Sequence, residues 1–214
     1  MGIFNYDKIK HLVNEEYKIA IETGTFIGIG TELLSKYFEQ VYTIEIDYIL
    51  YNKCKNKFIN NKNITCLHGD SKKMLPDLLD DKKIKNENIL FWLDAHWSGD
   101  DTVDWKNSYW KGYSINTGYS GKKVNGIISG YDQVPLEEEI YQIYENVRSE
   151  CVIYIDDFNK IDPITLKGFK NKCFQGEDYS HLDFNIIFNY INDRVIFKEI
   201  TDKYCILKLR NLED

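Results

Sequence analysis

A regular alternation of short apolar runs with helical segments, spanning roughly residues 18–158, constrains the fold more than any other feature of the sequence. Five of these runs are predicted strands: KIAIE, VYTIEID, ITCLHGD, ILFWLDAH and CVIYIDDF. Segments with helical spacing separate them. Strands that are apolar throughout and are joined by helices form a parallel sheet that is covered on both faces. The sequence therefore predicts a Rossmann-like, doubly wound α/β domain with a mostly parallel sheet.

The two ends of the chain depart from this alternation. Residues 7–16 carry apolar side chains at helical spacing, which predicts a leading helix. Residues 184–210 are interpreted as strand, turn and strand, with turns near 192–193 and 202–203, which predicts an antiparallel C-terminal edge of the sheet. Since no Pro- or Gly-rich linker divides the chain, residues 1–214 are expected to form a single domain.

The charge and composition exclude several classes of partner. The formal net charge of -7 repels phosphate backbones, so nucleic acid is disfavoured as a partner. No apolar window approaches the ~18 residues of a membrane span, and the N-terminus lacks the apolar core of a signal peptide. The five cysteines lie far apart without a CxxC pair, which fits a reducing compartment. A cytoplasmic protein without a membrane partner is expected, and a homo-oligomer is compatible with the sequence.

A glycine-rich loop, ETGTFIGIGT, follows the first predicted strand. In doubly wound sheets, ligands bind beyond the carboxyl ends of the strands, and this loop is the usual cofactor loop. Its spacing is Gly24-x-x-x-Gly28-x-Gly30 and not the GxGxxG of dinucleotide-binding proteins, so NAD is disfavoured. Glu22, just before Gly24, would repel a pyrophosphate and would favour a cation or an ammonium group.

At this loop the sequence resembles the class I S-adenosylmethionine-dependent methyltransferases, whose first motif has the form acidic-x-Gly-x-x-x-Gly. Glu22, Gly24 and Gly28 match that motif. The resemblance implies S-adenosylmethionine as the cofactor, with cofactor-binding residues at the ends of successive strands. These residues are Glu22, Gly24, Thr25, Gly28, Glu45, Ile46, Asp70, Ser71 and Asp94.

The resemblance also assigns roles to the second and third strand ends. Glu45 would accept hydrogen bonds from the ribose hydroxyls, with Asp47 as the alternative acid, about 20 residues after the glycine loop. Asp70, with Ser71, would lie against the amino group of the adenine.

Acidic residues also follow the fourth and fifth predicted strands. Asp94 and His96 end the fourth, and Asp156 and Asp157 end the fifth. Because these strands should be neighbours, three carboxylates are expected to converge. Clustered carboxylates repel each other unless a cation lies among them, and an all-oxygen set suits Mg²⁺ or another hard divalent ion.

With these acids at the strand ends, the sequence resembles the metal-dependent sugar O-methyltransferases of the macrolide and aminocoumarin type. The resemblance covers about residues 18–158. The resemblance implies Asp94, Asp156 and Asp157 as metal ligands, and Asp94 or His96 as the catalytic base. Some relatives carry a second acid in place of His96, so the sequence leaves the identity of the base open.

The segment 97–134 is too long for a simple connection and is predicted to be a lid-like insertion. It is rich in aromatic residues, namely Trp97, Trp105, Tyr109, Trp110, Tyr113, Tyr119 and Tyr131. Aromatic rings among small polar residues can stack on a sugar while hydrogen-bonding its hydroxyls. The alternative, that the rings form a satellite cluster which holds the insertion together, is equally compatible with the sequence.

The sequence thus favours an S-adenosylmethionine-dependent O-methyltransferase that acts on a hydroxyl of a small-molecule sugar or glycan with the help of a divalent metal. The alternatives are an NAD-linked or nucleotide-sugar oxidoreductase and a non-catalytic module that binds the cofactor. An RNA methyltransferase would need a basic patch, for which KGYSINTGYSGKK is a weak candidate.

Overall fold

The computed structural model describes residues 4–96, 114–115, 127–128, 134–169 and 178–212. Nine strands occur in these ranges: β1 (Tyr17–Thr23), β2 (Gln40–Glu45), β3 (Ile64–His68), β4 (Asn88–Leu93), β5 (Ser114–Ile115), β6 (Ile127–Ile128), β7 (Cys151–Ile155), β8 (Val195–Ile200) and β9 (Cys205–Leu209). Seven of them form one sheet in the order β3-β2-β1-β4-β7-β9-β8. The two-residue strands β5 and β6 pair only with each other.

Five α-helices lie in the described ranges: α1 (Ile29–Leu34), α2 (Tyr48–Lys57), α3 (Ser71–Leu79), α4 (Leu136–Asn146) and α5 (Phe184–Ile191). Short 3₁₀ turns occur at Tyr6–Lys8 and Phe158–Lys160. The longest helix, α4, has 11 residues, and none of the helices described has the length and apolarity needed to cross a bilayer.

The sheet confirms the predicted fold class. Strands β1 to β4 and β7 run parallel, and β9 runs antiparallel to both of its neighbours, β7 and β8. The strand order reverses at β1, which has β2 on one side and β4 on the other. A crevice forms at such a reversal, outside the carboxyl ends of the strands, and the candidate site residues lie at this edge of the sheet.

Apolar side chains project from both faces of the sheet, as expected for a doubly wound domain. On one face Ile21 of β1 packs in a cluster with residues of α3, α4 and α5. On the other face Ala20 packs with Leu34 of α1 and with Phe4 and Ile9 of the N-terminal segment. Neighbouring residues of β1 therefore support opposite layers of the core.

The prediction for residues 184–191 is wrong, because the structure forms helix α5 where the sequence was interpreted as a strand. Phe184, Ile187, Phe188 and Ile191 are buried at spacings of three and four residues, which is one face of a helix. The carboxylate of Asp183 accepts a hydrogen bond from the backbone N–H of residue 185 and caps the helix. The strand, turn and strand pattern begins only afterwards, with β8 and β9.

The leading helix predicted over residues 7–16 is also wrong. The chain forms a 3₁₀ turn at Tyr6–Lys8 and then irregular turns, and it anchors itself by burying Ile9 and Leu12. Apolar residues at helical spacing are therefore buried here without a continuous helix. Tertiary burial overrides local pattern in such short segments.

Most of the predicted lid-like insertion, residues 97–134, lies outside the described residues. The predictions made for its aromatic side chains accordingly stay predictions. Of this segment, the structure describes β5, β6 and Val134, which is buried against the main core cluster.

Candidate active site

The glycine loop joins β1 to α1 and lies against the end of β4. Gly24 has a φ of 87°, and a Cβ atom at this position would lie 2.6 Å from the backbone oxygen of Asp94. Its backbone N–H donates to the carbonyl of Ile44 at the end of β2, with an N to O distance of 3.0 Å. Glycine is required here both for its backbone conformation and for this close approach. The loop is thereby held between the ends of two neighbouring strands.

Gly30, in the first turn of α1, permits a second close contact. A Cβ atom there would lie 1.6 Å from the ring of Trp92 and 2.6 Å from a carboxylate oxygen of Glu22. Gly28 is the N-cap of α1, with a φ of 73°. In the described structure the space left by these glycines is therefore filled by the protein itself.

Glu22 is buried inside the loop, with 1% of its surface exposed. Its Oε2 atom accepts hydrogen bonds from the hydroxyls of Thr31 and Thr43, each at 2.5 Å. Burial raises the pKa of Glu22 to about 8, although these hydrogen bonds oppose the shift. The sequence predicts an acid that faces a cationic ligand. The structure instead turns this carboxylate toward protein hydroxyls, where it supports the loop from within.

Thr25 belongs to the same buried network as Glu22. The oxygen atoms of the Thr25 and Thr43 hydroxyls lie 2.5 Å apart, and 4% of Thr25 is exposed. The side chain of Thr25 therefore binds β2.

Glu45 ends β2 and ties that strand to the glycine loop. One carboxylate oxygen accepts from the backbone N–H of Phe26 at 2.8 Å, and the other accepts from the N–H of Asp47 at 2.9 Å. Burial raises the pKa of Glu45 to about 7. Ile46, which is half-buried, directly follows it. The structure thus places Glu45 at the predicted strand end, beside the loop that would bind the same cofactor.

Asp47 and Asp70 are helix caps. Asp47 Oδ1 accepts from the first N–H groups of α2, and its Oδ2 is buried without a hydrogen bond among the described residues. Asp70 Oδ1 accepts from the N–H of Lys72 at 3.2 Å and caps α3. Ser71, the first residue of α3, is buried. The acids at the ends of β2 and β3 are therefore held by helix N-termini at the same edge of the sheet.

Asp94, His96 and Asp157 form a compact cluster at the ends of β4 and β7. One donor atom from each lies within 4.8 Å of the other two. His96 Nε2 lies 2.9 Å from Asp157 Oδ2 and 3.5 Å from Asp94 Oδ1. The side chains of His96 and Asp94 are 10% and 13% exposed, and Asp94 Oδ1 is buried and makes no regular hydrogen bond to a described residue.

The three groups of this cluster strongly perturb each other. Burial lowers the pKa of His96, but its hydrogen bond to Asp157 and the nearby charge of Asp94 raise it well above its ordinary value. The hydrogen bond from His96 lowers the pKa of Asp157 to about 2. Burial raises the pKa of Asp94, and His96 opposes that shift. One imidazole nitrogen and two carboxylates this close together fit a divalent cation. Such a cation would take the place of the imidazole proton.

Asp156 lies outside this cluster, although the sequence analysis assigned it as a metal ligand. Its Oδ1 accepts from the backbone N–H of Asp157 at 2.9 Å, and burial raises its pKa to about 6. The next residue, Asp157, has a left-handed backbone with a φ of 54°. Among the described residues, the three groups close enough to share one cation are Asp94, His96 and Asp157, and the assignment of Asp156 as a metal ligand stays a prediction.

A small cavity of about 10 Å³, which is room for about one water molecule, lies beside the cluster. Asp94, His96 and Asp156 line it from the strand ends, and Val134, Glu139 and Tyr179 complete its lining. The centroids of the His96 and Tyr179 rings are 6.3 Å apart. The acidic cluster and an aromatic ring therefore border the same space.

Glu139 is a cavity residue that the sequence motifs did not identify, because it follows no predicted strand. The structure buries Glu139 on the apolar face of α4 with Leu136, Ile140 and Ile143. A signal was present in the sequence, since a glutamate stands at helical spacing among these apolar residues. Charged residues are almost never fully buried without a partner.

Comparison with known proteins supports the fold. No protein-family model and no curated protein matches the sequence. The structure is similar to that of a SAM-dependent methyltransferase from Anabaena variabilis, with a TM-score of 0.53 and 12% identity over 95% of this chain and 82% of that one. It is also similar to the PH0226 protein from Pyrococcus horikoshii, with a TM-score of 0.54 and 10% identity over 96% of this chain and 87% of that one. At this level of identity the likeness establishes a methyltransferase-like α/β fold.

Proposed function

We propose that the chain is an S-adenosylmethionine-dependent O-methyltransferase that acts on a hydroxyl of a sugar or glycan with the help of a divalent metal. The observation that carries this proposal is the contact between Gly24 and the backbone of Asp94. Through it, the loop that would bind the methyl donor directly adjoins the acidic cluster that would bind the acceptor. Methyl transfer requires these two groups to be aligned at contact distance.

The cofactor is proposed to lie across the ends of β1, β2 and β3. Glu45 is the group best placed to accept hydrogen bonds from the ribose, because its carboxylate lies beside the backbone of the loop at Phe26. Asp70 and Ser71 would face the adenine from the start of α3. Glu22 supports the shape of the loop and, in this proposal, makes no direct contact with the cofactor.

A divalent metal would be held by Asp94, His96 and Asp157. Such an ion lowers the pKa of a hydroxyl that coordinates it. Because the set includes an imidazole, it suits Mn²⁺ or Zn²⁺ as well as the Mg²⁺ expected from an all-oxygen set.

S-adenosylmethionine bound beside the glycine loop would supply a methyl group to the acceptor oxygen, and the electron pair of the broken carbon–sulfur bond would stay on sulfur. The proton of the hydroxyl passes to a carboxylate or imidazole of the chain. We assign this role to Asp94, because its Oδ1 lacks a regular hydrogen bond within the described structure. The neighbouring carboxylates raise the pKa of His96 well above its ordinary value, which makes the imidazole the less suitable base.

The choice of a sugar rests on the walls of the cavity. Tyr179 lines the cavity together with the acids, and the aromatic residues predicted to contact a sugar belong to the insertion 97–134. An aromatic face opposite hydrogen-bonding groups is the usual composition of a carbohydrate site.

The test is a screen of mono- and oligosaccharides with S-adenosylmethionine that carries a labelled methyl group, with Mg²⁺, with Mn²⁺ and with excess chelator. We expect label on a sugar oxygen, and its loss with chelator. Calorimetric binding of the cofactor without transfer to any acceptor would favour the non-catalytic module. Tight binding of NAD, with none of S-adenosylmethionine, would favour the oxidoreductase.

A further inference from the structure

Helix α2 and the edge strand β3 carry a charge opposite to that of the whole chain. Residues 48–73 contain six lysines and a single acidic residue, Asp70, which gives this stretch a formal net charge of +5 with histidine neutral. The net charge of the chain is -7. The average charge disfavours nucleic acid, but the potential at a surface is dominated by the charges within a Debye length of about 10 Å. This part of the molecule therefore attracts anions.

Three aromatic rings lie together where α2 meets the end of β3. His68 ends β3 and is exposed, and the centroid of its ring is 5.4 Å from that of Tyr48 and 5.1 Å from that of Tyr51. Tyr48 is 54% exposed. Because Tyr48 and Tyr51 are three positions apart in a helix, they lie on the same side of α2. The rings thus offer flat apolar faces at the surface of the protein.

Two exposed lysines continue this surface along α2. Lys55 stands one turn after Tyr51, and its Nζ atom is 5.5 Å from the centroid of that ring. Lys62 lies in the connection between α2 and β3. Neither lysine forms an ion pair with a residue in the described part of the chain. Their charges are therefore available to an anionic partner.

The position of this surface separates it from the acidic cluster. β3 is the outermost strand of the seven-stranded sheet, and β2 and β1 stand between it and β4, which carries Asp94 and His96 beyond its end. A partner bound along α2 and β3 would therefore occupy a different side of the molecule from the proposed acceptor.

Flat rings beside cations match the chemistry of one class of partner. A single-stranded nucleic acid exposes bases, which stack on aromatic side chains, and phosphates, which lysines neutralise. A duplex hides the faces of its bases, and an acidic peptide has no bases, so either would use the lysines alone. We propose that the α2–β3 surface, formed by Tyr48, Tyr51, Lys55, Lys62 and His68, binds single-stranded nucleic acid without regard to its sequence. This inference goes beyond the proposed function and does not depend on it.

The test is fluorescence anisotropy of the full chain with a labelled 12-nucleotide RNA that contains only A and C and so forms no duplex. We expect binding at low salt, and a logarithm of the affinity that falls against the logarithm of the salt concentration with a slope of at least about 1.4, which corresponds to two lysine contacts. Lys55→Gln combined with Lys62→Gln should reduce the slope by about that amount. The matched control is Lys198→Gln combined with Lys203→Gln, at exposed lysines of the opposite edge of the sheet, and it should leave the slope unchanged.

Tyr48→Leu tests the stacking, at a position exposed enough for the fold to persist. It should weaken RNA binding by at least about fivefold, as expected for the loss of one stacked base. Tyr190→Leu, at an exposed tyrosine of α5, is the control and should leave the affinity unchanged. Four results would overturn the inference: no binding at low salt, unchanged affinity in Tyr48→Leu, equal affinity for a duplex or for polyglutamate of similar charge, and displacement of the RNA by S-adenosylhomocysteine. The last result would show that the rings belong to the cofactor site.

Discussion

The Nε2 atom of His96 lies 2.9 Å from Oδ2 of Asp157, and this contact joins the carboxyl end of β4 to that of β7. The two residues lie 61 positions apart in the printed sequence and meet because their strands are parallel neighbours in the sheet. An imidazole-to-carboxylate hydrogen bond joins them in the structure. Under the proposed function a divalent cation would join them in its place.

Asp157→Asn should weaken the binding of Mn²⁺ by at least about a hundredfold, which is the upper end of the range for residues that only support metal ligands. The physical reason is the loss of a charged donor from a set of three. Electron paramagnetic resonance of free Mn²⁺ during a titration measures this binding without an acceptor.

Asp156→Asn is the matched control, since Asp156 lines the cavity outside the ligand set. It should change Mn²⁺ affinity by less than about tenfold, as expected for a supporting residue. Equal losses in the two variants would show that Asp156 is a ligand and that His96 is not needed in its place.

Glu45→Ala should reduce the affinity for S-adenosylhomocysteine by about 1–3 kcal/mol, because under the proposed function it removes a buried acceptor for the ribose hydroxyls. Asp47→Asn tests the alternative acid: asparagine also caps helices well, so α2 should persist and the affinity should stay within about 0.5 kcal/mol. Calorimetry measures both variants. The assignment of Glu45 is refuted if only Asp47→Asn weakens binding.

The free energy of unfolding should fall as the pH rises from about 5 to 8. Glu22 has a pKa of about 8 in the folded chain against 4.5 as its ordinary value, so between these values the folded state keeps a proton that the unfolded state has lost. The stability that this proton confers is complete below the ordinary pKa and disappears as the pH rises through about 8. Glu45 and Glu139 act in the same direction.

Glu22→Gln should make this pH dependence shallower, by up to about 1.4 kcal/mol per pH unit. Chemical denaturation at several pH values measures the slope, with exposed Glu15→Gln as the control. An unchanged slope in Glu22→Gln would mean that Glu22 is already ionised in the folded chain.

Arg194→Met should destabilise the fold by about 2–4 kcal/mol, because it leaves several buried carbonyls without a donor. The guanidinium is 2% exposed and donates to the backbone oxygens of Tyr144, Ser149 and Arg210. It thereby ties α4 and β9 together near the end of the chain. Arg148→Met, at an exposed arginine, is the control, and chemical denaturation should show that it lowers the free energy of unfolding by less than about 0.5 kcal/mol. A similarly small decrease for Arg194→Met would contradict the structural role of Arg194.

The sequence was sufficient to predict the parallel strands and the acids at their ends. Glu45, Asp94 and Asp157 all lie where the alternation of strands and helices predicts, because residues that follow parallel strands share one edge of the sheet. Residues 184–191 could not be assigned so easily. A run of aromatic and β-branched residues suits either a strand or a buried helix, and packing against the core decides between them.

The composition of the site depended on details that strand patterns do not contain. Two adjacent aspartates follow β7, and the strand pattern does not decide which of them joins His96. The burial of Glu139 depends on how α4 is rotated on the sheet, although its spacing from Leu136 was a usable signal. The inward direction of Glu22 depends on Thr31 and Thr43, which come from two different elements.

The contact of Gly24 with the backbone of Asp94 limits which parts of the site can change as the sequence evolves. Any side chain larger than hydrogen at position 24 would push the ends of β1 and β4 apart. The distance between the glycine loop and the acidic cluster is therefore fixed by the backbone. Under the proposed function, new acceptors would be accommodated by remodelling the wall that carries Val134 and Tyr179. The distance between the methyl donor and the acceptor would stay the same.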